Sequence, residues 1–144
     1  MSDAQRREAA DRIHSAAIHL LRRVREVDTE AMGISAARAS ALSVLAFGGP
    51  RSLTALAEAE RVTPATMSKL VRAMEAGGLV QRERDTDDGR AIELHATTKG
   101  RRVLERGRAR RLDLLDELLA DASDNEIAAI RTAAAAVERG LGSG

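Results

Sequence analysis

The chain has no cysteine, no tryptophan and no tyrosine, and Phe47 is its single aromatic residue in 144 positions. Without cysteine there can be no disulfide, no thiolate metal ligand and no thiol on which a peroxide signal could act. With aromatics almost absent, the core has to be built from Leu, Ala, Val, Ile and Met, which suits helix-on-helix packing better than a β-sandwich. No apolar run approaches the ~18–20 residues of a membrane-spanning helix. The first residues are also too polar for a secretion signal, so a soluble, cytoplasmic chain with no membrane partner is expected. Neither charge dominates: 23 Lys and Arg stand against 22 Asp and Glu, a net charge of +1. Any surface for nucleic acid must therefore come from local clustering and not from bulk basicity. At 144 residues and 44% apolar content, the chain fits one domain and is short for two.

Chemistry-bearing constellations are equally sparse. No Ser-His-Asp set, phosphate-cradling Gly loop or paired carboxylates stand out, so neither a catalytic residue nor a cofactor is expected. His14 and His19 are five positions apart, about 140° around a helix, and cannot jointly hold a metal there. His95 falls on the outward side of a strand. No metal site is expected.

Periodicity and capping signals lay the chain out as helices with one hairpin. A long amphipathic helix spans about residues 4–27, with Ile13, Ala17, Leu20, Leu21, Val24 and Val27 on one face, and Gly33 breaks it. Ser35 opens a second helix, with Leu42, Leu45 and Ala46 inward, which Gly48-Gly49-Pro50 stops. Thr54 is expected to cap a short third helix through Leu56 and Ala57. Glu60-Arg61-Val62 turns the chain into a fourth helix, which Gly77-Gly78 ends. Strands follow at Leu79 to Arg84 and Ala91 to His95, with Ile92 and Leu94 expected inward. Thr97 or Thr98 opens a fifth helix carrying Val103, Leu104, Leu115, Leu118 and Leu119. Ser123 with Glu126 three residues on is a capping box for the last helix, whose stripe is Ile127, Ile130, Ala134 and Val137.

The fourth helix carries the functional signal. Thr63 is placed as N-cap and Pro64 at the first helical position. Met67, Leu70, Val71 and Met74 fall at i, i+3, i+4 and i+7 and form a buried stripe. Opposite lie Ala65, Lys69, Arg72 and Ala76, flanked by Thr66 and Ser68. Small residues permit close approach to a DNA major groove, hydroxyls supply hydrogen bonds, and the two cations meet phosphates or guanine edges. The alternative is a helix-turn-helix that contacts protein, a module without effector response.

Three spaced motifs then carry a family resemblance: Gly78-Leu79-Val80-Gln81-Arg82, Asp85-Thr86-Asp87-Asp88-Gly89-Arg90 and Thr97-Thr98-Lys99-Gly100. Together they resemble the wing segment of MarR-type winged-helix regulators, which reads G-L-V-x-R, D-P-x-D-x-R and L-T-x-x-G. Thr86 replaces the usual Pro, and Ala96 stands where Leu is common. The resemblance spans essentially the whole chain. It implies a mainly α fold with a small β-hairpin wing, a winged helix-turn-helix over residues 34–96 and a helical dimerisation region over 1–33 plus 97–144. It further implies a homodimer on a pseudo-palindromic double-stranded operator, acting as a repressor released by a small-molecule effector. The wing residues Arg84, Asp88 and Arg90 join the DNA-contacting set, with Arg90 in the minor groove and Asp88 orienting it. From Arg82 to Arg90, three arginines face Glu83, Asp85, Asp87 and Asp88, so this wing is no basic patch and its arginines must act singly. The family's effectors are often small aromatic or lipophilic acids. The resemblance places such a pocket near His14 and Ala17 of the first helix, Leu42 of the second and Val103 of the fifth.

The fifth helix has an unusual charge order. Lys99, Arg101, Arg102, Arg106, Arg108, Arg110 and Arg111 precede Asp113, Asp116, Glu117 and Asp121. Cations at a helix start and acids at its end both oppose the macrodipole, so a compensating contact is expected. Phosphates, acids of a second subunit and plain solvation are the three readings.

Overall fold

Every helix begins behind a Ser or Thr whose side-chain oxygen takes up a backbone N–H that the helix itself leaves unpaired. In this computed structural model, which describes residues 1–84, 87, 89 and 91–142, Ser2 precedes α1 (Asp3–Met32), Ser35 precedes α2 (Ala36–Gly48) and Ser52 precedes α3 (Leu53–Glu60). Thr63 precedes α4 (Pro64–Ala76), Thr97 precedes α5 (Thr98–Leu118) and Ser123 precedes α6 (Asp124–Leu141). The cap of α3 is Ser52 and not Thr54. Ser52 has the extended backbone that an N-cap requires and accepts from the Ala55 N–H, whereas Thr54 already lies inside the helix. The first helix also runs beyond its apolar stripe, to Met32, until Gly33 closes it with a positive φ of 65°.

Two antiparallel strands, β1 (Val80–Arg84) and β2 (Ile92–Ala96), make the hairpin, with Val80 opposite Ala96 and Arg84 opposite Ile92. Arg51 adds a single bridge to the far side of β2, exchanging backbone hydrogen bonds with Leu94 at 2.8 and 3.3 Å. Leu94 is buried as expected. Ile92, expected inward, is 49% exposed, because it stands opposite Arg84 toward the hairpin tip, beyond the edge of the helical core.

The core gathers Leu42 and Leu45 of α2, Leu56 of α3, Met67, Val71 and Met74 of α4 and Leu94 of β2, all essentially sealed from water. Each such side chain contributes on the order of 1.5–3 kcal/mol by burial. Contacts divide the chain into two compact units, Met1–Arg111 and Leu112–Gly144. The second unit contains α6, whose capping box forms as expected: Ser123 and Glu126 exchange side-chain and backbone hydrogen bonds.

The cations at the head of α5 find their compensation in the ends of other helices. Lys99 Nζ donates to the Gly77 carbonyl behind α4 at 2.8 Å, and Arg101 Nη1 donates to the Ala46 carbonyl in the last turn of α2 at 2.8 Å. Thr97 Oγ1 donates to the Gly78 carbonyl, and the Thr97 N–H to that of Leu79. A positive charge against the carbonyl end of a helix is favourable, so the charge order that opposes the dipole of α5 serves those of α2 and α4. Further along, Arg111 reaches Asp28 of α1 at 2.6 Å.

Candidate nucleic-acid interface

The α3–α4 pair is held by its turn. Arg61 takes a left-handed conformation and donates its N–H to Ala57 and Glu58, while the Val62 N–H reaches back to the Ala57 carbonyl at 3.0 Å. Thr63 then caps α4, accepting the Thr66 N–H at 3.2 Å, and its hydroxyl also meets that of Thr66 at 3.0 Å. Behind, Met67, Val71 and Met74 are sealed into the core, and Leu70 packs partly against it. In front, Ala65, Thr66, Lys69, Arg72 and Ala76 are exposed, and Ser68 is half-buried at the flank. The amphipathic split drawn from residue spacing is therefore the split in the structure. Neither Lys69 nor Arg72 has an ion-pair or hydrogen-bond partner among the described residues. Both side chains stand on the exposed face of α4, placed to meet an outside anion.

The wing is tied to α4 by an ion pair between Arg82 Nε and Glu75 Oε1. Arg84 is exposed and donates to the Gly89 carbonyl at 3.3 Å. Asp88 and Arg90 lie outside the described residues. On one face of the hairpin His95 Nε2 lies 3.4 Å from both the Glu83 and Glu93 carboxylates, so this face has an acidic rim with one imidazole in it.

The four residues expected around an effector are not brought together. Leu42 and Val103 are buried in the core, while His14 and Ala17 are exposed on α1. The first unit instead holds a cavity of about 900 Å³ beside them, between the second half of α1, α2 and the middle of α5. Leu21 and Val24, two turns beyond His14, form part of its apolar wall with Leu104, and Phe47 stands at its rim, 80% exposed. Arg108 and the Asp28–Arg111 pair supply its polar side. The displacement follows from α2: Leu42 points into the core, so the cavity opens along the neighbouring Ala39–Ser43–Phe47 edge. Phe47, the single aromatic of the chain, belongs to this lining, but its place at the rim is set by the packing of α2 and has no signal in the sequence.

A model of the MarR family matches residues 32–91. An HTH-type transcriptional regulator of Mycobacterium bovis is 31% identical over 134 residues, covering 93% of this chain and 92% of the relative. The chain belongs to the MarR family. It is thereby a DNA-binding transcriptional regulator of the winged-helix kind. A MarR-family protein of Bacillus stearothermophilus has the same fold, with a TM-score of 0.79, 25% identity and 99% of each chain covered. A mutant of S. aureus MepR, solved bound to an oligodeoxyribonucleotide, matches with a TM-score of 0.70 at 19% identity, over 92% of this chain and 97% of that one. These neighbours bear out the mainly α fold with a hairpin wing.

Proposed function

We propose that this MarR-family protein is a cytoplasmic, dimeric repressor that reads a pseudo-palindromic operator and leaves it when a small acidic effector binds. The observation that carries the DNA side is α4: its back is sealed in the core, and its front presents the Thr63-bonded Thr66 together with Lys69 and Arg72, whose side chains have no hydrogen-bond or ion-pair partner among the described residues. Thr63 and Ala65 at its N-terminal end, with Ser68 at the flank, complete the major-groove set. Arg84 and Arg90 of the wing reach the neighbouring groove, with Asp88 orienting Arg90.

Dimerisation is supported by apolar residues that one chain leaves in water. Ile13 and Leu21 of α1 and Ile130 and Val137 of α6 are each exposed in the single chain. A second copy covering such stripes places two recognition helices about 34 Å apart, one helical turn of DNA. For the effector, the cavity between α1, α2 and α5 falls within the ~300–1,000 Å³ of small-molecule sites. Arg108 offers a charge for a carboxylate, and Phe47 a ring face for an aromatic or lipophilic body. Such a ligand releases DNA only if it binds the DNA-free spacing of the two α4 helices more tightly than the bound one.

The test is selection of duplexes from random DNA by the purified protein, followed by binding across a salt series. A two-fold-related consensus bound with steep salt dependence is expected. Failure to enrich any sequence, with retention of a protein partner instead, would make this winged helix an interaction module.

A further inference from the structure

Arg61 is the one residue other than glycine with a positive φ among the described residues, at φ 55° and ψ 43°. In that left-handed region the Cβ of an L-residue crowds the following carbonyl, so glycine or asparagine is the usual occupant. The turn explains the conformation: Arg61 ends α3, donating its N–H to Ala57 and Glu58, and lets Val62 fold back onto Ala57. Nothing in that pattern uses an arginine side chain. The residue is exposed, and its guanidinium has no hydrogen-bond or ion-pair partner among the described residues. A disfavoured side chain stands where glycine would suffice, and no polar partner among the described residues accounts for it.

Its position supplies a use. In a helix-turn-helix the first helix crosses the DNA backbone and the second enters the major groove. A residue on the turn between them therefore rides at the groove's rim, level with the phosphates, and not over the base edges. Arg61 stands on that turn, two residues ahead of Thr63. The acids of α3 are Glu58 and Glu60, and the Glu60 carboxylate is drawn toward α2, accepting from Ser40 Oγ at 3.0 Å. A guanidinium is well matched to phosphate because its planar fork of donors meets two oxygens at once.

We infer that Arg61 is a phosphate-contacting residue of this winged helix, one that fixes the depth and register of α4 without reading sequence. The inference rests on the DNA-binding reading above and extends it to a residue outside the recognition helix and the wing.

Arg61→Gly separates the side chain from the turn, because it removes the guanidinium while relieving the backbone. Wild type, Arg61→Gly, Arg61→Lys and Lys69→Ala are compared on two duplexes of equal length across a salt series. One duplex is selected from random DNA by the wild-type protein and the other is unselected. Arg61→Gly is expected to bind both duplexes more weakly, with the slope of log K against log salt shallower by about 0.9 for each bound subunit. Its melting temperature should not fall, and Arg61→Lys should keep the wild-type slope. Unchanged affinity and slope for Arg61→Gly, alongside weakened binding by Lys69→Ala, overturns the inference and leaves the DNA reading standing. Loss confined to the selected duplex makes Arg61 a base reader, and a lowered melting temperature makes it a turn-holding residue; either result overturns the proposal. A wild-type protein that binds neither duplex overturns both readings.

Discussion

Replacing Gly100 by Ala should destabilise this protein, although the same change inside a helix ordinarily stabilises by about 0.5–1 kcal/mol through backbone entropy. The difference lies in what a Cβ would meet. At Gly100 it would sit 2.4 Å from the Leu79 carbonyl oxygen and 3.1 Å from Leu42 Cδ1. The Leu79 backbone has little room to yield, since its N–H donates to Met74 and its carbonyl accepts from the Thr97 N–H. Leu42 is fully buried. Relief therefore requires the head of α5 to lift from the α4–β1 junction, an overpacking cost of about 1–3 kcal/mol. Net of the helix gain, a loss of about 0–2.5 kcal/mol remains, centred on about 1 kcal/mol, which lowers the melting temperature by roughly 3–4 °C at this chain length. Gly140→Ala is the matched control. It lies in the last turn of α6 with nothing within 4 Å of the added carbon, so it should gain a few tenths of a kcal/mol. Thermal melts followed by circular dichroism compare the two variants directly. A Gly100→Ala protein melting at or above the wild type would refute the steric argument.

Lys69→Ala and Arg72→Ala should each weaken DNA binding with the fold intact: a phosphate contact is seen as a shallower salt slope in every sequence, a guanine contact as relaxed preference at one base pair. Arg90→Ala should weaken specific binding without affecting helical content, and Asp88→Ala should weaken it less; unaltered operator affinity for Arg90→Ala would keep the wing off DNA. Hydrogen bonds from Ser123, first through its backbone and then its side chain, hold the Glu126 carboxyl below its usual 4.5. That contribution is whole above the unfolded pKa and lost as pH falls through the folded one, so Glu126→Gln, which keeps the capping geometry, should reduce the acid sensitivity of α6 seen by circular dichroism between about pH 5 and pH 3. Truncation at Ala122 should leave a chain that sediments as monomers or aggregates, and full-length protein that is monomeric at micromolar concentration would contradict the dimer.

Local chemistry was legible wherever one residue type has one good use. Thr63-Pro64, the Ser123–Glu126 box and Gly33 marked helix ends because caps depend on side chains within three positions. The i, i+3, i+4, i+7 spacing from Met67 to Met74 separated the buried from the exposed face of α4, because helical geometry alone decides it. What escaped were decisions made between elements. Ser52 and Thr54 offer the same hydroxyl, and only the backbone entering α3 selects Ser52. Ile92 and Leu94 share a strand face, but where the helical core ends along that face is a tertiary fact. The resemblance places a pocket beside His14 and Ala17, whereas the cavity opens two turns later, where the Asp28–Arg111 pair joins α1 to α5. The partners of Lys99 and Arg101, carbonyls at the ends of α4 and α2, have no sequence signature, since any helix end offers them.

Those last contacts bear on how the recognition helix can move. The head of α5 is joined to the end of α4 and the start of β1 through Lys99, Thr97 and the close seat of Gly100 on Leu79, and to α2 through Arg101. In kinematic terms α4 has no hinge of its own at that end. Its heading is set by the first turn of α5, as the hand of a clock is set by its spindle. A tilt of the first turn of α5 is therefore passed to the end of α4 through these contacts, and on the DNA-binding reading proposed above the stiffness of a few carbonyl contacts sets how much of it reaches the groove.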